Sequence, residues 1–303
     1  MVAWGRVGIA VALLALAGCT AGSGCDLVQV AQVPLELKGR LPTVPVTVNG
    51  HKLSFLLDTG STKSLLNEAT VRRLKIVRDA RFYTPLIGVA GGSSQDDASV
   101  DSLAIGDAPI DQSRMSVSTM GNLPIDGILG LDIIRDFDLD IDVPKRALTL
   151  YRVRRCQQAD PPWQEPAVRI PDASTMSGWL RVPFAVDDIE GSAAFDTGAS
   201  QTMILPQMMR RLGLTEQALA SDRSIRTTVI ASGTSDVRLH RFRSLRVGPV
   251  TVPDAFILVI TKEPPAFGYA GSFGDGAIGM EFVLTRRVWF SFRTARLYVA
   301  APR

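Results

Sequence analysis

Apolar and polar residues alternate in short runs along most of the chain, the period of half-buried strands rather than of helices. Residues 28–33, 44–48 and 52–57 predict strands, and Asn49-Gly50 between the last two is a hairpin turn signal. A break in the alternation follows at Asn67. That residue is predicted to cap a short helix running through Lys75, with Ala69, Val71 and Leu74 on its apolar face. Residues 100–105 read as a further strand closed by a Gly106-Asp107-Ala108 turn, and a short helix is expected near residues 133–136. Asp138-Leu139-Asp140-Ile141-Asp142 alternates strictly, which predicts a strand with three acids on a wet face. Residues 146–151 supply one more strand.

The same plan then runs a second time. Residues 181–186 match 44–48, Ile189-Glu190-Gly191 stands where the turn near Gly50 stood, and residues 192–195 lead into Asp196 as 52–57 lead into Asp58. A helix is predicted over 206–212, ending at Gly213. Leu245-Arg246-Val247-Gly248 echoes Leu103-Ala104-Ile105-Gly106, and Asp275-Gly276-Ala277-Ile278-Gly279-Met280 echoes Asp126-Gly127-Ile128-Leu129-Gly130-Leu131. Residues 288–292 and 296–299 repeat the closing strands. An internal repeat of this extent implies two lobes of one fold. Pro161, Pro162, Pro166 and Pro171 mark the boundary between them. The expected division is 1–18, an export signal; 19–27, a tether; 28–155, the first lobe; 156–175, a Pro-rich linker; and 176–303, the second lobe.

Composition narrows the function classes. The chain has 303 residues, 46% apolar and 21% charged, enough for two modest cores and too apolar for disorder. A formal charge of +3, scattered along the chain, gives no footprint for nucleic acid. Gly88-Val89-Ala90-Gly91-Gly92-Ser93-Ser94 lacks the Gly-Lys-Ser/Thr of a phosphate loop, so a hairpin tip is expected there. The acids at 138–142 open like a calcium loop, but Val143 and Thr149 occupy the positions that loop reserves for Gly and Glu. No Cys/His spacing suggests a metal site and no cofactor is expected. His51 and His240 are the two histidines, with no Gly-x-Ser-x-Gly to support a serine triad. Trp163, Trp179 and Trp289 are expected in the core, with pocket lining as the alternative.

The first residues form a charged start at Arg6 and an apolar run over 7–17, too short for a permanent bilayer span. Leu16-Ala17-Gly18-Cys19 resembles a bacterial lipobox. The resemblance implies cleavage before Cys19 and lipid attachment to its sulfur. With Thr20 rather than Asp in the next position, it also implies the outer membrane of a Gram-negative host, facing the periplasm. Plain secretion is the competing reading. Cys25 and Cys156 flank the first repeat, and in an oxidising compartment either a disulfide or two free thiols would fit.

The chemistry-bearing stretch is Leu56-Leu57-Asp58-Thr59-Gly60-Ser61, repeated as Ala194-Phe195-Asp196-Thr197-Gly198-Ala199. One Asp-Thr-Gly alone reads as a turn. Each copy here is followed by a hydrophobic-hydrophobic-Gly segment, Ile128-Leu129-Gly130 and Ala277-Ile278-Gly279, at 72 residues (58 to 130) and 83 residues (196 to 279). Two motifs, twice, in one order, resemble the aspartic peptidases of the pepsin–retropepsin superfamily, in particular the bacterial retropepsin-like kind. The resemblance implies a mostly β protein of two homologous retropepsin-like closed β-barrel lobes, the acid protease fold. A pseudo-twofold axis would relate the lobes, with a substrate cleft between them. It further implies an endopeptidase in which Asp58 and Asp196 share one proton and activate a water. Thr59 and Thr197 would lock the two turns together, Gly60 and Gly198 would donate N–H groups to the carboxylates, and Ser61 and Ala199 would stand beside them. Two close carboxylates cannot both ionise cheaply, which is the physical basis of such a pair; the aspartic protease dyad is the standard illustration of this effect.

Two departures from the pepsin pattern carry expectations. Ser61 has a hydroxyl where Ala199 has none, which predicts an unequal pair and an activity optimum less acidic than that of pepsin-like enzymes. No tyrosine lies within Gly88 to Ser94, Tyr83 stands several residues earlier, and both halves carry a Gly/Ser hairpin. Gly88, Val89, Ala90, Gly91 and Gly92, with Ala231, Ser232 and Gly233, are therefore candidate flaps; two ordinary solvent hairpins are the alternative. The expected partner is a peptide or protein substrate bound by a monomer held at a membrane through Cys19. The competing function is a non-catalytic peptide-binding or assembly lipoprotein that keeps the fold.

Overall fold

The alternating stretches are strands. The computed structural model describes residues 26–88, 91–154, 160–176, 178–229, 233–262 and 274–301. In the first half the order begins with β1 (Asp26–Pro34), β2 (Glu36–Lys38), β3 (Leu41–Val48), β4 (His51–Leu57), β5 (Leu65–Asn67) and α1 (Glu68–Leu74). It continues with β6 (Arg78–Gly88), β7 (Gly91–Ser99), β8 (Leu103–Ile105), β9 (Ala108–Ile110), β10 (Arg114–Ser118) and β11 (Gly127–Leu129). It closes with α2 (Leu131–Ile134), β12 (Asp138–Asp142) and β13 (Ala147–Arg154).

The second half opens with β14 (Ala167–Ile170), β15 (Ser174–Met176), β16 (Trp179–Val186), β17 (Ile189–Phe195), β18 (Met203–Ile204) and α3 (Pro206–Arg211). Then come β19 (Arg223–Val229), β20 (Gly233–Arg241), β21 (Ser244–Val247), β22 (Val250–Pro253), β23 (Phe256–Val259) and β24 (Gly276–Ile278). A short 3₁₀ turn at Met280–Phe282 leads to β25 (Arg287–Ser291) and β26 (Arg296–Ala300).

Sheet order confirms the duplication. The first lobe is one sheet, β6-β7-β10-β5-β11-β4-β3-β8-β9, with β2 on β3. The second runs β19-β20-β23-β18-β24-β17-β16-β21-β22, with β15 on β16. Raising each strand number of the first path by thirteen gives the second path without exception. A third sheet, β1-β13-β12-β25-β26-β14, takes three strands from each half and joins them through the antiparallel β12–β25 pair. Its order reads the same from either end under that renumbering, so a pseudo-twofold axis passes between β12 and β25. Buried side chains of both halves, among them Phe55, Leu139, Phe195 and Phe290, belong to one continuous core around this shared sheet. Burial of that apolar surface holds the lobes together.

Local turn chemistry explains the strand starts. Asn49 and Gly50 both take positive φ, 49° and 79°, as a two-residue hairpin of the right twist requires. The equivalent turn in the second lobe is Asp187-Asp188, with φ of 46° and 72°, rather than Ile189-Glu190-Gly191, which begins β17. Aspartate tolerates the left-handed region, so the pair substitutes for Asn-Gly. Asn67 caps α1, its side chain accepting from the Ala69 N–H at 3.1 Å. The buried side of α1 is Thr70 and Val71; Ala69 is exposed.

Three further expectations are corrected. The acids of β12 have no wet face: all five residues of that strand are buried, because β13 and β25 flank it. Asp140 instead pairs with Arg287, Nε at 2.8 Å and Nη2 at 2.5 Å, and accepts from the Trp163 indole at 3.0 Å. Trp163 is thus a half-buried cover over an ion pair, stacked on the Arg287 guanidinium at 4.7 Å, and not a core residue. Trp179 and Trp289 are buried as expected. The Pro-rich stretch contains β14, which pairs with β26 and completes the shared sheet.

Candidate active site

Each Asp-Thr-Gly turn is fixed by the strand that delivers it and by the hydrophobic-hydrophobic-Gly strand beside it. β4 runs parallel to β11, with Leu57 opposite Leu129, and the Asp58 N–H donates to the Leu129 carbonyl at 3.0 Å. β17 runs parallel to β24, with Phe195 opposite Ile278, and the Asp196 N–H donates to the Ile278 carbonyl at 2.9 Å. On the far side of each turn the Leu131 N–H donates to the Ser61 carbonyl and the Met280 N–H to the Ala199 carbonyl, both at 2.8 Å.

The two turns meet at the interface between lobes. Thr59 Oγ1 donates to the Phe195 carbonyl at 2.7 Å and accepts from the Thr197 N–H at 3.0 Å. Thr197 Oγ1 donates to the Leu57 carbonyl at 2.6 Å and accepts from the Thr59 N–H at 3.0 Å. Four reciprocal bonds made by the hydroxyls of two fully buried threonines clamp the turns into one unit. Across that clamp each glycine faces the opposite aspartate. A Cβ added to Gly60 would overlap the Asp196 carboxyl group, and one added to Gly198 would overlap that of Asp58. Only glycine lets the backbones approach this closely.

The consequence is a carboxyl pair with one member from each lobe. Asp58 and Asp196 are half-buried and hydrogen-bonded to each other. Gly60 N–H donates to Asp58 Oδ1 and Gly198 N–H to Asp196 Oδ1, both at 2.8 Å. Burial pushes the Asp58 carboxyl well above the usual carboxylate range, and the neighbouring Asp196 charge pushes it further. Burial also raises Asp196, against the N–H groups of Gly198, Ala199 and Gly60 and the hydrogen bond from Asp58. One proton shared between two such groups leaves one acid and one base at the same point.

Ser61 does not act as expected. Its hydroxyl donates to the Lys63 carbonyl at 2.7 Å and not to Asp58. What reaches each carboxyl group is the backbone N–H of the residue after the glycine, Ser61 for Asp58 and Ala199, at 3.2 Å, for Asp196. A backbone donor does not depend on the side chain, so Ser61 and Ala199 are equivalent here.

Three pairs of supporting residues were not singled out by sequence reasoning. Ser64 and Thr202 each stand six residues after an aspartate. Ser64 Oγ accepts from the Gly130 N–H at 2.9 Å and donates to Asp132 at 2.6 Å. Thr202 Oγ1 accepts from the Gly279 N–H at 3.0 Å, while Glu281 Oε1 accepts from the Thr202 N–H at 2.7 Å. Asp132 and Glu281 each stand two residues after the glycine. Asp126 and Asp275 complete the support: Asp126 accepts from the Ser54 N–H at 2.9 Å and Asp275 from the Ser192 N–H at 3.0 Å. The repeat already matches Asp126 with Asp275, and carrying the alignment further would have marked the other two pairs, because each recurs at one offset as a hydroxyl or an acid.

One support has no twin. Trp179 Nε1 donates to the Gly60 carbonyl at 2.9 Å inside the interface, whereas Leu41 holds the matching place in the first lobe. Trp179→Phe is expected to lower the unfolding free energy by about 1–3 kcal/mol, the cost of a buried carbonyl left without its donor. Urea unfolding measures it, and an unchanged midpoint would show the bond to be dispensable.

The carboxyl pair also sets a pH dependence of stability. The folded protein binds more protons than the unfolded chain between the ordinary aspartate range, about 3.9, and the raised folded values. Stability from this source is therefore complete below that range and declines as pH rises through the folded values. Asp58→Asn mimics the neutral form. Its melting temperature is expected to exceed that of the wild type at neutral pH, with the gap closing below about pH 4. A gap that widens on acidification would contradict the assignment.

The other expected residues fall as follows. Gly88 pairs with Gly91 and Ile87 with Gly92 at the end of the β6–β7 hairpin, while Val89 and Ala90 lie outside the described residues, as do Ala231 and Ser232. Cys19, Cys25 and Cys156 also lie outside them. His51 is exposed at the start of β4, and His240 pairs with Asp222 at 2.6 Å; neither touches the carboxyl pair. Among the described residues no His/Cys/Asp/Glu group has metal-holding geometry, and no helix is long and apolar enough to cross a membrane.

A family model described as aspartyl protease matches residues 44–133 and 182–282, one segment in each lobe. Among solved structures, an aspartic proteinase from Irpex lacteus is similar at a TM-score of 0.53 and 15% sequence identity, covering 90% of this chain and 97% of that one. No curated protein matches the chain.

Proposed function

Because the chain belongs to the aspartyl protease family, we propose that it is an endopeptidase whose single site is the Asp58–Asp196 pair. The observation that carries this reading is the meeting of the two carboxyl groups, one from each lobe, hydrogen-bonded to each other and raised by burial. The ionised member takes a proton from a water as it attacks the scissile carbonyl. The protonated member donates to that carbonyl oxygen, and the proton passes on to the leaving amine as the carbon–nitrogen bond breaks. The products are a carboxylic acid and an amine, and no covalent intermediate is needed. The Thr59–Thr197 clamp keeps both groups in place through the cycle, which is how a preorganised site lowers its barrier.

The substrate is an extended peptide lying between the lobes as a strand, its side chains alternating to either side. The β6–β7 and β19–β20 hairpins are the proposed flaps over it. The catalytic unit is a monomer, since both aspartates come from one chain. Lipid attachment at Cys19 would hold it at the outer membrane on the periplasmic side. The pairing of Asp26 with Arg154 brings together the chain segments that lead to Cys25 and Cys156, which supports a disulfide between those cysteines.

Digestion of a peptide library between about pH 3 and pH 8, read by mass spectrometry, tests the enzyme reading. Cleavage at defined bonds is expected. Retention of peptides without cleavage across that range would instead favour a non-catalytic peptide-binding lipoprotein.

A further inference from the structure

The β12–β25 pair that joins the lobes ends differently on its two sides. Where Asp142 meets Arg287, the chain fills its own site: Arg287 bonds Asp140, Asp142 and Glu165, and Trp163 covers it. At the other end Asp138 meets Ser291. There a cavity of about 570 Å³ opens between the lobes, and neither Asp58 nor Asp196 lines it.

Its charge is unbalanced. Arg135, Arg152, Arg154 and Arg293 line it, against Asp136 and Asp138. Arg152 lies over the Phe137 ring at 5.0 Å, and the Arg293 charge acts on Asp138, while no ion pair of Arg135 or Arg154 is found among the described residues. Asp138 is 4% exposed, hydrogen-bonds Ser291, and has a second carboxylate oxygen without a partner. Four guanidinium groups against two acids leave a surplus of two positive charges. Such a surplus suits one dianion better than one carboxylate, and guanidinium forks match the oxygen geometry of phosphate. The cavity volume lies within the range of small-molecule sites, so it has room for a phosphate and part of what carries it.

We propose that this interlobe cavity binds a phosphate group. Two sources supply that chemistry, a soluble phosphate compound and a phospholipid headgroup. The second has a geometric argument. Asp26 pairs with Arg154 of the cavity lining. The seven residues from Cys19 to Cys25 could span at most about 25 Å, which would hold the cavity close to a membrane if Cys19 is lipidated.

Two titrations of the full-length chain, each compared with R154Q/R293Q, test the proposal and separate the sources. Calorimetry with inorganic phosphate at low salt reads the soluble arm. Flotation with phosphatidylcholine vesicles, with and without phosphatidic acid, reads the lipid arm. The double variant is expected to weaken binding at least about tenfold in one arm or both. Loss in calorimetry alone identifies a soluble phosphate, loss only with phosphatidic acid identifies the headgroup, and equal behaviour of both proteins in both arms overturns the proposal. Both arginines are exposed, so melting temperatures should agree. If they do not, R135Q/R293Q replaces the pair. Peptide hydrolysis is not read in either arm, so this test stands apart from that of the proposed enzyme activity.

Discussion

Asp58→Asn and Asp196→Asn are each expected to reduce peptide hydrolysis at least about a thousandfold while leaving the chain folded. Neither carboxyl group is a spare. They hydrogen-bond to each other, so removing either leaves an acid without a base or a base without an acid. The double variant is expected to be no worse than the single ones, because residues acting as a unit are not additive. The Thr59–Thr197 clamp uses backbone and hydroxyl groups and no carboxylate, so the turns should survive the substitution. Steady-state kinetics on one cleaved peptide, with circular dichroism as the fold control, make the comparison. Wild-type turnover by one of the variants would remove that aspartate from the reaction.

Arg287→Ala is expected to cost about 3–5 kcal/mol of unfolding free energy, the largest stability effect of a single substitution foreseen here. Its guanidinium comes from the second half of the chain and reaches Asp140 in the first at 2.5 Å, with Glu165 at 3.1 Å. Asp140 is almost wholly buried, and against the burial that lowers it, the hydrogen bond and charge of Asp140, the hydrogen bond to Glu165 and the Asp142 charge hold the Arg287 pKa above its ordinary value. Deleting the arginine leaves the Asp140 carboxylate in the shared sheet with only the Trp163 indole. Replacing both partners, as in D140N/R287M, removes the stranded charge and should recover most of the loss. Guanidinium chloride unfolding of the two variants gives the answer. A loss below about 1 kcal/mol for Arg287→Ala would mean the pair behaves as an exposed salt bridge.

The duplication was legible because two strands, a turn and a Gly-ended strand recur in one order, and local pattern fixes each of them. The thirteen-strand correspondence between the lobes follows the same repeats. What stayed hidden depended on partners remote in sequence. Nothing near Asp140 announces Arg287, 147 positions away, so alternation alone placed the acids in water. Trp163 and Glu165 sit among prolines and look like linker until they are seen covering that pair. Asp187-Asp188 lacks the Asn-Gly signature, so the turn was placed two residues late. At the site, Asp58, Asp196, the threonines and the glycines were readable from motif and repetition. The direction of the Ser61 hydroxyl was not, because one rotation of a side chain decides whether it meets Asp58 or Lys63. The expectation of a less acidic optimum loses the hydroxyl it rested on and stays to be measured, while burial raises both carboxyl groups with or without a hydroxyl beside them.

The pH profile of kcat/KM for wild-type hydrolysis of a single peptide tests the central claim, that one proton shared by Asp58 and Asp196 drives the reaction. A bell is expected, rising as the first proton leaves the pair and falling as the second leaves, with its alkaline limb displaced above the ordinary carboxylate range. A maximum near pH 2, or activity that keeps rising to about pH 8 without a falling limb, would contradict it.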